Sequence, residues 1–207
     1  GAVYAEKSTG HDLFYNYLVD FGFGDKTGID LPGELSGDLK NLSKKANEAI
    51  NFATASFGQG VAVTPIQLVN AVSAIANGGF LMKPYLNSGF QPQITRKVIN
   101  KKAAEEAVEM MVSAVEKAGV ASISGYRLAG KTGTAQIPDF QNHGYLEDRF
   151  IHTYVGFGPV SNPEFTILIK LDKPDSALAA LTVVPAFKDL AQYILNYYRI
   201  APDKLEF

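Results

Sequence analysis

The sequence predicts an α/β fold of the α+β type, an antiparallel sheet covered by helices. Three observations predict it. Residues 1–120 place their apolar side chains mainly at helical spacing, residues 121–207 hold three runs that read as strands, and a last amphipathic segment closes the chain.

Each element has its own signal. A first helix is expected over residues 12–21, where Leu13, Phe14, Tyr17, Leu18 and Phe21 recur at helical spacing and Gly22 ends the pattern. Phe21-Gly22-Phe23-Gly24 and Thr27-Gly28-Ile29-Asp30-Leu31-Pro32-Gly33-Glu34 are dense in glycine and proline and read as structured turns, with Asp30 and Glu34 as local caps. Ser56-Phe57-Gly58-Gln59-Gly60 reads the same way. Thr64-Pro65-Ile66-Gln67 is a helix start, with Thr64 as N-cap, Pro65 in the first turn and Gln67 closing a capping box, and the helix runs to Gly78. A third helix is expected over 101–117, with Ala104, Val108, Met111, Val112 and Val115 on one stripe and Gly119 past its end.

From there the pattern changes. Residues 126–136, 152–157 and 165–171 read as strands, the last two joined by the turn-forming Gly158-Pro159-Val160-Ser161-Asn162-Pro163, and they pair as an antiparallel meander. Residues 185–198 carry Phe187, Leu190, Ala191, Ile194, Leu195 and Tyr198 on one face, which lays this helix across the sheet.

Composition narrows the function classes. With 207 residues and 46% hydrophobic content the chain can bury one good core or two modest ones. Its 19 basic and 21 acidic residues, net charge -2 without long like-charge blocks, give no footprint for nucleic acid or an anionic membrane. Zero cysteines exclude disulfides, thiolate metal sites and a cysteine nucleophile. His11 and His143 read as surface residues without paired spacing, so neither a metal nor a cofactor is expected. No apolar run approaches the roughly 18 residues that span a bilayer. The chain opens on Gly1 rather than methionine and is expected to be a processed chain or an excised piece.

The chemistry concentrates in Lys131-Thr132-Gly133-Thr134-Ala135-Gln136, a cation, hydroxyls and a bare backbone position, suited to reading an anion along an edge strand. Strand alternation puts Lys131, Gly133 and Ala135 on one face and Thr132, Thr134 and Gln136 on the other. Gly133, with no side chain, lets another backbone approach closely. The overlapping stretch from Gly125 to Thr132 also satisfies the phosphate-loop pattern G-x-x-x-x-G-K-[ST]. That reading needs a buried strand before the first glycine and a helix starting at the Lys-Thr, and neither flank fits: residues 119–124 read as a turn, and Gly133, Thr134 and Pro138 are poor helix openers. A P-loop nucleotide hydrolase is therefore a remote alternative.

Read in order, Phe21-Gly22-Phe23-Gly24, Thr27 through Glu34, Ser56-Phe57-Gly58-Gln59-Gly60, Thr64-Pro65-Ile66-Gln67-Leu68, Ala76-Asn77-Gly78-Gly79, Ala129 through Gln136 and Gly156-Phe157-Gly158-Pro159 resemble the transpeptidase domain of class B penicillin-binding proteins, division-type enzymes more closely than elongation-type ones. The resemblance spans almost the whole chain. It implies a serine β-lactamase/transpeptidase-like fold, incomplete in this chain, with residues 1–207 forming the C-terminal part of one domain. Of the three signatures S-x-x-K, S-x-N and K-T-G, only the third is present, and Gly1-Ala2-Val3 resembles the family's residues directly downstream of S-x-N. The nucleophilic serine is expected outside this chain, which by itself is expected to be inactive.

The resemblance further implies a peptidoglycan D,D-transpeptidase that cross-links stem peptides through an acyl-serine and binds β-lactams. On it, Lys131 and Thr134 are catalytic: Lys131 supplies positive charge and the Thr134 N–H supplies one oxyanion donor. Thr132, Gly133 and Thr134 bind substrate, the two hydroxyls holding its terminal carboxylate and Gly133 fitting a peptide laid along the strand edge. Implied partners are the peptidoglycan stem peptide, β-lactam antibiotics, the missing N-terminal part of the same protein and a membrane glycan polymerase. The implied location is the extracytoplasmic face of the bacterial cytoplasmic membrane. A non-catalytic β-lactam or peptidoglycan sensor of related fold is the alternative. His152 reads as a hydrogen-bonded structural residue, and residues 137–151 read as a solvated loop beside the active-site cleft.

Overall fold

The computed structural model describes residues 10–43, 49–139, 141–142 and 144–204. Gly1-Ala2-Val3 and His143 lie outside the described residues. The chain divides into two compact units, residues 1–74 with 78–100, and residues 75–77 with 101–207.

In the first unit, helix α1 (His11–Asp20) buries none of its residues and leaves Leu13 and Tyr17 exposed. Arg96 closes its C-terminal end, its Nε and Nη2 donating to the carbonyls of Asp20 and Val19 at 2.8 Å each. Those carbonyls are among the acceptors a helix end leaves open. A short helix α2 (Ala49–Ala55) buries Phe52. Helix α3 (Pro65–Ala76) starts with the expected capping box, Thr64 N–H donating to Gln67 Oε1 at 2.8 Å and Gln67 N–H to Thr64 Oγ1 at 3.3 Å. Gln67 does more than cap. It is 1% exposed, and its amide nitrogen donates to Asp25 O at 2.6 Å and Ser36 O at 2.7 Å, tying the turn region to the helix.

Two short strands, β1 (Phe80–Lys83) and β2 (Gln93–Lys97), pair as an antiparallel hairpin inside the stretch that reads as mainly helical. Their signal is faint because β2 is exposed on nearly all positions, so no apolar alternation marks it. Glu34 is the expected local cap, accepting from Thr27 N–H, Thr27 Oγ1 and Gly28 N–H. Asp30 is not local: it accepts from the amides of Leu86 at 2.6 Å and Asn87 at 2.9 Å, stapling two loops.

The second unit contains helix α4 (Lys101–Ala118), strands β3 (Ala129–Pro138), β4 (Tyr145–Gly158) and β5 (Phe165–Asp172), and helix α5 (Val183–Tyr197). The sheet order is β3-β4-β5, all antiparallel, the expected meander. Helix α5 buries Val183, Val184, Phe187, Ala191 and Leu195. These join Leu128, Tyr154, Ile167 and Val115 in one core.

The loop expected over 137–151 is largely strand. Pro138 pairs with Tyr145, Asp139 N–H donates to Gly144 O at 3.0 Å, and β4 already runs from Tyr145. Most of the extension from Tyr145 to Arg149 is exposed and its register against β3 is irregular, so it lacks the buried face that would have marked it in sequence. Among the described residues no helix is long and apolar enough to cross a membrane.

Candidate functional site

The register of β3 against β4 fixes where each residue of the Lys131 motif points. Lys131 pairs with Val155, Thr132 with Tyr154, Gly133 with Thr153 and Thr134 with His152, without a bulge until after Gln136. Side chains directly opposite each other share a face. Tyr154 packs on Phe187 of α5, ring centroids 4.6 Å apart, so Thr132 and Thr134 belong to the α5 face and Lys131 and Gly133 to the other. This is the expected alternation.

Among the described residues β3 pairs only with β4, which leaves its outer edge open. Lys131, Thr132 and Thr134 are exposed and Gly133 half-buried. The Lys131 ammonium donates to Thr132 O at 2.6 Å. The phosphate-loop reading fails here on geometry. Lys131 and Thr132 lie inside an extended strand, so the helix N-terminus that would hold phosphate is absent at this position.

Glycines place the neighbouring rings. A Cβ on Gly130 would collide with the hydroxyl and ring of Tyr154, and one on Gly156 with the ring of Phe187 and with Ala129 O. Gly133 has a cross-strand neighbour as well. A Cβ there would meet Thr153 Oγ1, so the missing side chain makes room for the cross-strand hydroxyl. Burial pushes the Tyr154 phenol up to about 12, which keeps it protonated against Gly130.

His152 is fully buried, and its Nδ1 lies 2.9 Å from Thr182 Oγ1. Thr182 Oγ1 also lies 3.3 Å from Ala179 O, and Nε2 has no partner among the described residues. The imidazole thereby joins β4 to the segment that enters α5. A shallow recess of about 150 Å³ lies beside Gly130, Lys131 and Thr132, walled by Ala114, Ala118 and Ala180. Among the described residues, no group of three or more His, Asp and Glu side chains gathers as a metal site would.

Sequence reasoning assigned the four motif residues to the faces that the strand register gives them. It missed Tyr154 and Thr153, whose roles come from cross-strand pairing between segments some twenty positions apart in sequence.

Residues 1–192 match the family model described as the penicillin binding protein transpeptidase domain, and the chain belongs to that family. It is 37% identical over 192 residues to stage V sporulation protein D of Bacillus subtilis, covering 86% of this chain and 29% of that protein. It is 31% identical over 196 residues to the peptidoglycan D,D-transpeptidase FtsI of Buchnera aphidicola subsp. Schizaphis graminum, covering 92% of this chain and 34% of the relative. The chain thus spans about a third of the length of these relatives. Among solved structures, the transpeptidase domain of Burkholderia pseudomallei penicillin-binding protein 3 superposes with a TM-score of 0.86 at 27% identity, over 99% of this chain and 63% of that one. Penicillin-binding protein 3 of Mycobacterium tuberculosis, complexed with ampicillin, gives 0.84 at 25% identity, over 97% of this chain and 49% of that one.

Proposed function

We propose that residues 1–207 form the C-terminal part of one transpeptidase domain and supply a wall of a peptidoglycan D,D-transpeptidase site. The carrying observation is the exposed, open-edged Lys131-Thr132-Gly133-Thr134 strand inside a family match that covers residues 1–192.

In this reading a serine outside the chain attacks the penultimate D-Ala carbonyl of a stem peptide and expels the terminal D-Ala, and a neighbouring stem's amine then takes the acyl group. The chain's own residues act on charge and position. Lys131 is catalytic and supplies positive charge beside the nucleophile's proton path. The hydroxyls of Thr132 and Thr134 hold the substrate carboxylate, and the Thr134 N–H donates to the developing oxyanion. Loss of one such donor costs roughly 10²–10³ in rate. Gly133 keeps the strand edge low, so an extended peptide or a β-lactam lies along it.

The relatives' names, including peptidoglycan D,D-transpeptidase, and the ampicillin complex of a 25% identical neighbour support this substrate class. They also support work at the extracytoplasmic face of the cytoplasmic membrane. There the remaining part of the same protein and a membrane glycan polymerase are its partners.

Intact mass after incubation with a β-lactam, on this chain alone and on a form extended N-terminally through the upstream segment, tests the reading. A gain of one drug mass by the extended form only is expected. Absence of acylation in both forms would sink it and reopen the sensor alternative.

A further inference from the structure

The family match ends at residue 192, yet the chain continues into a segment built onto the start of the motif strand. After α5 the backbone folds back across residues 125–127. Tyr126 Oη donates to Ile200 O at 2.6 Å, and the amides of Asp203 and Lys204 donate to Gly125 O at 3.1 and 3.0 Å. Pro202 packs against Gly125, whose φ of +80° is a backbone conformation that strains any residue with a side chain. Ile200 packs on the core of the sheet and α5.

The Asp203 carboxylate then joins two chain segments. Its Oδ1 accepts from Arg127 N–H at 2.7 Å and its Oδ2 from Ser161 N–H at 3.1 Å. Arg127 leads into β3, and Ser161 lies in the turn that leaves β4. The carbonyl of Arg127 is also held, by Val160 N–H at 3.0 Å, and its guanidinium makes a two-pronged contact with Glu109 of α4 at 2.8 and 3.1 Å. Residue 127 is therefore fixed through its amide, its carbonyl and its side chain.

We propose that residues 199–204 form a positioning strap for the Lys131–Thr134 strand, with the Asp203 carboxylate as its clasp. The inference rests on the function proposed above and adds a residue to it. The physical need is specific to an edge strand. With ladder hydrogen bonds on one side only among the described residues, β3 is located by its partner β4, by helix α4 packed against it and by the point where the chain enters it. Arg127 precedes Lys131 by roughly 13 Å of extended chain at about 3.3 Å per residue. A hinge at residue 127 would be felt at Thr134 N–H, and a displacement of about 1 Å at a reacting centre can cost on the order of 10²-fold. An ionised carboxylate can hold two amides at once, each bond charge-assisted. An asparagine in its place offers one oxygen and turns an amide donor toward the other N–H.

The test uses the N-terminally extended, acylation-competent protein and a chromogenic β-lactam. It reads two quantities separately: the burst amplitude, which counts competent molecules, and the acylation rate constant of those that react. In Asp203→Asn the rate constant is expected to fall about tenfold or more, with the amplitude within a factor of two of the parent. Asp203→Glu, which keeps both carboxylate oxygens, is expected to recover most of the rate. Lys101→Ala, an exposed change at the far end of α4, is expected to leave both quantities unchanged. The rate is read on the reacting fraction, so a partly unfolded preparation still gives it. A parent-like rate constant in Asp203→Asn overturns the positioning role. Loss of amplitude alone, or of the burst altogether, also overturns it and assigns the strap to folding. Failure of the parent itself to react would instead strike the proposed function.

Discussion

At the scale of single residues, bare positions in β3 are bare for different reasons. Gly130 lies under the buried Tyr154 ring, whereas Gly133 faces the hydroxyl of Thr153. A ring locked between the sheet and Phe187 cannot move aside, while a threonine hydroxyl can change rotamer. Gly130→Ala is expected to destabilise the unit by about 1–3 kcal/mol, the range for overpacking a filled core. Gly133→Ala is expected to cost clearly less in stability. Denaturant midpoints of the two variants, measured in the N-terminally extended protein, decide the order. In the same assay Tyr154→Leu combined with Gly130→Ala should recover part of the loss, since residues in contact couple. Equal midpoints for the two single variants would show that the Tyr154 ring yields.

Individual elements are held by groups that reach beyond them. The 27–34 turn is organised around Glu34. Burial alone would raise its carboxyl, but the Thr27 hydroxyl and the amides of Thr27 and Gly28 outweigh that and hold it below its ordinary value of 4.5. A carboxyl depressed in the folded state contributes stability that is complete above the ordinary value and is lost as pH falls through the lower native one. Glu34→Gln is therefore expected to cost about 1 kcal/mol at neutral pH, a net figure for a partly exposed hydrogen-bonded charge. The gap between variant and parent should close on acidification below 4.5. Melting temperatures of both proteins against pH, each in the N-terminally extended form, measure it, and a constant gap across the acid range would exclude this role. Asp30 is depressed chiefly by the amides of Leu86 and Asn87 and adds acid sensitivity of the same sign.

For the whole chain, open strand edges and uncovered apolar surface dominate. Among the described residues β3 and β5 each pair on one side only, and Leu35, Leu181, Tyr193 and Tyr197 stand exposed. Unpaired edges and apolar patches drive association. The chain purified by itself is expected to aggregate, or to fold only with its complement. Light scattering coupled to size exclusion gives the answer, and a monodisperse monomer with a cooperative melt would contradict it.

Much of this was legible in the sequence, and for a physical reason. Helix α3 announced itself because its capping box is local, and α4 and α5 because their buried stripes repeat at 3.6 residues. The meander and the two faces of Lys131, Gly133 and Thr132, Thr134 came from period-two alternation, which chain geometry imposes before any packing occurs. What the sequence left open involves partners distant along the chain. The 145–151 strand extension has no buried face, Asp30 reaches residues 86 and 87, Gly133 yields space to Thr153, and Asp203 clasps residues 127 and 161. Local pattern determined which elements form and which side chains share a face. Tertiary structure decided what each face and each loose backbone amide meets, because a hydrogen bond between residues seventy-six apart leaves no periodic trace in the order of the residues.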